Sequence, residues 1–324
     1  MRKLWIFILF FSIKLVSGQD VEFSQYYANP LYLNPAFAGS ENYTRIALNY
    51  KSLLPSSYGN YTDYSASVDK YFDGVSGGLG FQIMNDKQSQ GIINNLSFSL
   101  IYAYHASLSN NWALSTGFKV GYNINTLNAN NVVLPDMIDP VNGVSSTTME
   151  SGLHQKSMYF DFSFGMLTWY ENYYFGVAID HLTKPQSSFG SDDPGPIDRK
   201  YTVNGGMEIP FYNSIYRVNM TVSPNFIYQQ QGSSSKINLG AYLNRNYFTT
   251  GIWLRTNTQL NFTGVVAMLG FVTDYSIFAY SYDVPFYKGG FDGIINGAHE
   301  VTFVYKFMYK RKRKKMKAIK CPKF

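Results

Sequence analysis

The chain has 324 residues, of which only 15% are charged and 18% are aromatic, with Tyr 28 and Phe 25. A charged fraction well under the roughly 25% of ordinary domains, with a mean hydropathy of -0.17, argues against helical membrane spans and fits a protein apolar at every second residue. The net charge of +6 is unevenly placed: nine of the 27 basic residues lie in 310–324 and three in 1–18, which leaves 15 against 21 acidic residues in an acidic body, so no nucleic-acid partner is expected.

Met1–Gly18 reads as a secretory signal peptide. Arg2 and Lys3 precede an apolar run, Lys14 interrupts it, and Val16-Ser17-Gly18 offers a small-residue cleavage site. No later stretch is apolar enough for a membrane helix, and an exported chain without one is integral to a membrane only as a closed barrel. Residues 19–41 form the next unit. Asn29-Pro30 and Asn34-Pro35 are turn dipeptides that exclude a strand. Phe23, Tyr26, Tyr27, Leu31, Tyr32, Leu33 and Phe37 nevertheless need cover. The segment is expected to plug the lumen or mouth of a barrel. A tail packed outside is the alternative.

Period-2 alternation begins near Asn42. It is clearest in Asn111–Asn125, where Trp112, Leu114, Phe118, Val120, Tyr122 and Ile124 share one face and Ser115, Gly117, Lys119 and Gly121 the other. Fourteen strands are predicted, near 42–53, 59–70, 75–87, 92–108, 111–125, 156–170, 173–182, 199–209, 214–230, 234–245, 247–256, 260–273, 274–284 and 297–309. The expected fold is all-β: a transmembrane antiparallel β-barrel over 42–309, followed by a basic periplasmic tail, 310–324. A soluble β-sandwich is the competing fold, and loop lengths separate the two. The three longest gaps, 126–155, 183–198 and 285–296, all follow odd-numbered strands, whereas turns such as Glu171-Asn172 follow even ones. Long loops at one rim and short turns at the other are the rule for outer-membrane barrels.

Catalytic and metal motifs are weak. His105, His154, His181 and His299 form no HxxxH or HExxH arrangement. His299 and Glu300 are adjacent on a strand and point to opposite faces, so they cannot act as an acid–base couple without a bulge. Asp136, Asp139, Asp192, Asp193 and Asp198 match no EF-hand spacing and read as solvated loop acids, with calcium binding as the alternative. Cys321 is the single cysteine. No enzyme activity, metal or cofactor is expected.

Three segments resemble the PorP/SprF family of type IX secretion and gliding proteins from Bacteroidetes. The first is Phe23-Ser24-Gln25-Tyr26 with Asn29-Pro30-Leu31-Tyr32-Leu33-Asn34-Pro35-Ala36-Phe37-Ala38-Gly39. The second is Tyr280-Ser281-Tyr282-Asp283, and the third is Gly297-Ala298-His299-Glu300. Asp180-His181-Leu182 is a weaker likeness. The resemblance implies an outer-membrane barrel that binds, anchors or helps export a secreted surface protein carrying a C-terminal sorting domain, together with periplasmic secretion or gliding motor components. It carries no catalytic residues. The tail lies outside the resemblance. Lys310, Arg311, Lys312, Arg313, Lys314, Lys315 and Lys317 are expected to meet a periplasmic partner or outer-membrane lipid. Both termini are expected to be periplasmic. The alternative function is a transport channel for small apolar molecules, with Gln19–Ser40 as a luminal hatch.

Overall fold

A computed structural model of the chain describes residues 20–41, 43–56, 59–128, 138–139, 143–144, 156–187, 195–213, 218–286 and 297–308. The expected leader, most of loop 126–155 with Asp136 and His154, the acids Asp192 and Asp193, and the tail from Lys310 with Cys321 lie outside the described residues.

Fourteen strands form one sheet. They are β1 Thr44–Ser56, β2 Gly59–Phe72, β3 Gly77–Gln88, β4 Ile93–Ser107, β5 Trp112–Leu127, β6 Lys156–Tyr170 and β7 Tyr173–Asp180. Then follow β8 Lys200–Met207 continued by Ile209–Asn213, β9 Val218–Gln231, β10 Ser234–Arg245, β11 Phe248–Asn257, β12 Phe262–Val272, β13 Ser276–Pro285 and β14 Ala298–Phe307. Each strand pairs antiparallel with the next, and β14 pairs with β1, from Thr44↔Phe307 to Leu53↔Ala298. The sheet therefore closes on itself, so it has no free edge. Among the described residues no helix is long and apolar enough to cross a membrane.

Alternation decides which side faces out. On β5, Trp112 and Phe118 are exposed while Ser115, Gly117 and Gly121 are buried. On β14, Phe303, Tyr305 and Phe307 face out and Glu300 and Thr302 face in. The outer wall carries aliphatics such as Leu100, Leu239, Ile252 and Leu269 around its waist. Trp112, Tyr170, Tyr173, Phe248 and Tyr275 stand at one rim. An exposed apolar belt edged by aromatics suits a bilayer and would be untenable in water. Phe118 lies in this belt, so Phe118→Arg is expected to cost about 2–4 kcal/mol in reversible unfolding from lipid vesicles. A change below 0.5 kcal/mol, the scale of an ordinary surface substitution, would contradict its lipid-facing position.

The long gaps after β5, β7 and β13 open at one rim, and the turns after β2, β4, β6, β10 and β12 close the other. The end of the eighth strand differs from expectation. The sequence reading ended the eighth strand at 209, before Pro210, yet β8 runs on to Asn213. Beyond Met207, which pairs with Tyr173, β7 has ended and only β9 remains alongside. Pro210 thus sits at a local edge, where a missing N–H removes no ladder bond. The gap between the Gly206–Asn225 and Ile209–Val222 pairs lies beside Pro224, which has no N–H to give.

Residues 20–40 fill the lumen as a plug. It is built of three single turns, Tyr26–Ala28, Pro30–Leu33 and Pro35–Phe37. Pro30 and Pro35 open the second and third turns, where their fixed φ suits the first helical position. The Asn34 side chain caps the third by accepting from the Ala36 N–H at 2.9 Å. Phe23, Tyr26, Tyr27, Leu31, Leu33 and Phe37 are all buried. Tyr26 and Tyr27 join Tyr174, Tyr242 and Trp253 of the wall in a ring cluster with centroids 5.1–6.3 Å apart. The plug runs the height of the barrel. Asp20 contacts His181, Lys200 and Gln231 at the long-loop rim, and Gly39 contacts Asp69 and Gly78 near the short-turn rim. The expectation that both termini are periplasmic concerns residues 1–19 and 309–324, which lie outside the described residues. Asp20 and Phe307 lie at opposite ends of the barrel.

Candidate functional site: the plugged lumen

The three segments that resemble one family are far apart in sequence, yet they meet inside the barrel. Alternation turns Ser281 and Asp283 of β13 and Glu300 of β14 inward. Glu300 Oε2 accepts the Ser24 N–H at 2.5 Å and Oε1 accepts the Gln25 N–H at 3.2 Å. Gln25 Nε2 donates to Ser281 Oγ at 3.1 Å and to the Glu300 carbonyl at 3.0 Å. Ser24 Oγ donates to Asp283 at 3.3 Å and accepts from Lys51 and Arg255. Arg255 also pairs with Asp283 at 2.5 Å. Glu300 is fully buried, so this latch works where hydrogen bonds to a charged group are strong and an unpaired one is costly.

The outer halves of the same segments do something else. Tyr280 and Tyr282 face out with His299, whose Nδ1 is 2.6 Å from the Tyr280 hydroxyl and whose ring centroid is 4.7 Å from that of Tyr282. His299 and Glu300 do point to opposite faces. Gly297 is buried just before β14.

A second latch holds the leading end of the plug. Asp20 meets Lys200 Nζ at 3.0 Å, His181 Nε2 at 3.0 Å and Gln231 Nε2 at 3.1 Å. Asp161 sits 3.0 Å from the other ring nitrogen of His181. Glu22 meets Lys236 at 2.6 Å and Arg255 at 3.8 Å. Burial alone would raise both plug carboxyls, but Lys200 and His181 hold Asp20 well below the usual range, and Arg255, Lys236 and Lys51 do the same for Glu22. Burial, opposed by Lys200, raises the Tyr32 hydroxyl instead.

The middle of the plug is read through its amides. Asn29 Nδ2 donates to Ser65 Oγ at 3.0 Å, and its Oδ1 accepts from Gln82 Nε2 at 2.8 Å. Asn34 Nδ2 donates to the carbonyls of Met166 and Val177 at 3.2 and 3.0 Å. At the trailing end the wall reads main chain. Ser115 Oγ donates to the Ala36 carbonyl and His105 Nε2 to the Ala38 carbonyl, each at 2.8 Å. Asp69 accepts the Gly39 N–H at 2.8 Å, and Arg45 donates to the Phe37 carbonyl at 3.3 Å. Gly39 has φ +64°, which glycine adopts without strain. The wall is cut away to admit this backbone. A Cβ at Gly78 would lie 2.0 Å from the Ala38 oxygen, and one at Gly117 would lie 2.4 Å from the Ala36 nitrogen.

Every resembling plug residue is thus placed. Phe23 packs edge-on against Tyr32, Tyr26 donates to Glu22 and lies on Trp253, Leu33 joins the core, and Pro35 and Ala36 are buried. The expected partner-binding residues Lys310–Lys317 lie outside the described residues. Sequence reasoning missed Lys51, Arg45, Asp69, Lys200 and Arg255 as plug contacts. Their only signal was a charge on the inward face of an alternating strand. The arrangement holds residues 20–40 of the chain itself, and among the described residues no three His, Cys, Asp or Glu side chains converge on a metal position.

Comparison with known proteins agrees with this architecture. No curated protein matches the chain. Among solved structures it is similar to the Ralstonia pickettii toluene transporter TbuX, with a TM-score of 0.50 and 8% identity over 86% of this chain and 93% of that one. It is also similar to the CymD monoaromatic hydrocarbon channel, with a TM-score of 0.47 and 10% identity over 88% and 94% of the two chains. A Pseudomonas aeruginosa FadL homologue gives a TM-score of 0.45 and 9% identity over 85% and 91%. At such identities the likeness concerns the barrel fold alone. The model of the type IX secretion system membrane protein PorP/SprF family matches residues 15–305, nearly the whole barrel with its plug. The chain belongs to the PorP/SprF family of type IX secretion system membrane proteins.

Proposed function

We propose that this protein is an outer-membrane anchor of the type IX secretion or gliding machinery, one that binds a secreted surface protein and acts by binding rather than chemistry. The observation that carries this reading is the filled lumen. The chain's own residues 20–40 occupy it through buried latches, while the longest connections gather at one rim. In this reading residues 1–18 direct export from the cytoplasm of a member of the Bacteroidetes. The long-loop rim faces the cell exterior and holds the sorting domain of the cargo. The other rim faces the periplasm, where Lys310–Lys317 meet the motor components. Deleting residues 128–150 is expected to leave the barrel assembled and folded but to strip the surface protein from the cells, measured by surface immunoblot and co-purification. Retention of the surface protein by the deletion strain would place the cargo site elsewhere.

A second reading, a channel for small apolar molecules, draws on the fold shared with a toluene transporter. It predicts toluene uptake by vesicles containing the intact, plugged protein. The anchor reading predicts none.

A further inference from the structure

A passive stopper needs only volume and an apolar surface. This plug is instead read residue by residue. Gln25, Asn29 and Asn34 are buried amides, and each makes two or more hydrogen bonds to the wall. Asp20 and Glu22 each meet wall cations. Among the described residues no part of 20–40 joins the sheet ladder, so the wall closes without it. The contacts come from strands spread around the barrel, through side chains aimed inward by the alternation that builds the barrel itself and through the main-chain carbonyls of Met166, Val177 and Glu300. Gly78 and Gly117 further shape the wall around peptide backbone. Such a lumen has the features of a receptor: directional donors and acceptors, charge complementarity at one end and shape complementarity at the other.

We propose that the lumen is a sequence-reading peptide site, occupied at rest by residues 20–40 in cis, which also takes an unlinked peptide in trans. The ligand is a chain with acids at its leading end, then Gln, Asn and Asn-Pro at the spacing of Gln25, Asn29, Asn34 and Pro35. Exchange of the cis segment for such a chain makes the plug a replaceable ligand rather than a fixed wall. The site works in the same way whichever rim meets the cargo.

The test uses the full chain with a specific protease site inserted between Glu41 and Tyr43, folded into lipid vesicles and then cut. The probe is a fluorescent synthetic peptide of residues 19–41. The cut protein is expected to take up the probe saturably, and unlabelled peptide should compete with it. A peptide carrying Gln25→Ala, Asn29→Ala and Asn34→Ala should compete at least about tenfold more weakly, since it lacks the three buried amides that bond to the wall. In a second arm, a variant lacking residues 19–40 is expected to conduct ions in planar bilayers, and the peptide should close it. If that variant does not insert, the cut protein decides alone. Uptake no greater than that of a scrambled peptide, even in sub-denaturing urea, overturns the proposal. So does equal competition by the triple-alanine peptide.

Discussion

Arg45→Ala is expected to destabilise the barrel by about 3–5 kcal/mol in urea, the range for breaking a buried ion pair by removing one partner. Arg45 on β1 holds both carboxylate oxygens of Asp69 on β2, with Nε at 2.8 Å and Nη2 at 3.1 Å. The two side chains are only 7% and 1% exposed. An exposed pair contributes about 0–1 kcal/mol, so burial decides the size of this effect. Alanine at 45 leaves a buried carboxylate that has lost both guanidinium contacts while still accepting the Gly39 N–H, and it releases the Phe37 carbonyl. Asp69→Ala should cost a similar amount, because it strands a guanidinium. The double variant Arg45→Met with Asp69→Leu should recover much of the loss, since no charge is then left buried. Urea unfolding in lipid vesicles measures all three. If the double variant is as unstable as Arg45→Ala, the stranded charge is not the cause and the lost grip on the plug is.

This pair shows where reading the sequence stops. The barrel was legible because alternation is local. Met158, Phe160, Phe162, Phe164 and Met166 announce an outward face within nine residues, and observed strand ends mostly agree to within three residues. The parity of loop lengths was also legible, since it follows from counting strands. The plug was legible in outline, because aromatics between two Asn-Pro turns cannot be left in water. What reads the plug was not. Arg45 and Asp69 are 24 residues apart, and Glu300 is 276 residues from Ser24. A lone inward charge on a strand looks the same whether it faces water or a peptide. The family likeness did mark Ser24, Gln25, Ser281, Asp283 and Glu300, but as three separate words. Only closure of β14 on β1 brings them together. The direction of the plug was hidden for a related reason. Composition says that a segment is buried, and nothing in it says which end lies at which rim.

Glu300→Ala is expected to free the leading half of the plug while the barrel stays folded. The substitution removes the acceptor of two buried N–H groups, Ser24 and Gln25, and each buried donor left unpaired costs about 1–3 kcal/mol. It also takes a carboxylate away from the Lys51–Arg255 cluster, so the surviving cations repel one another with less compensation. The trailing half keeps its own anchors, Asn34 on the Met166 and Val177 carbonyls and Gly39 on Asp69. The ladders from β14 to β1 and β13 are main-chain bonds and do not depend on the carboxylate. Opening should therefore be local, with a smaller change in global unfolding. Ala28 is a suitable reporter, being small, 2% exposed and part of the leading half. With Cys321→Ser to silence the native thiol, a cysteine at 28 should react with a polar thiol reagent about 10²–10³ times faster once Glu300 is alanine, the factor that about 3–4 kcal/mol of lost anchoring gives. Glu300→Gln should fall between the two, because its carbonyl can accept one N–H while its amide group opposes the other. Arg45→Ala loosens the far end and should speed labelling at 28 much less. If cysteine 28 stays as slow in Glu300→Ala as in the parent, the convergence of the three segments on Glu300 does not hold the plug, and the Asp20 and Glu22 ion pairs at the rim carry the leading end instead.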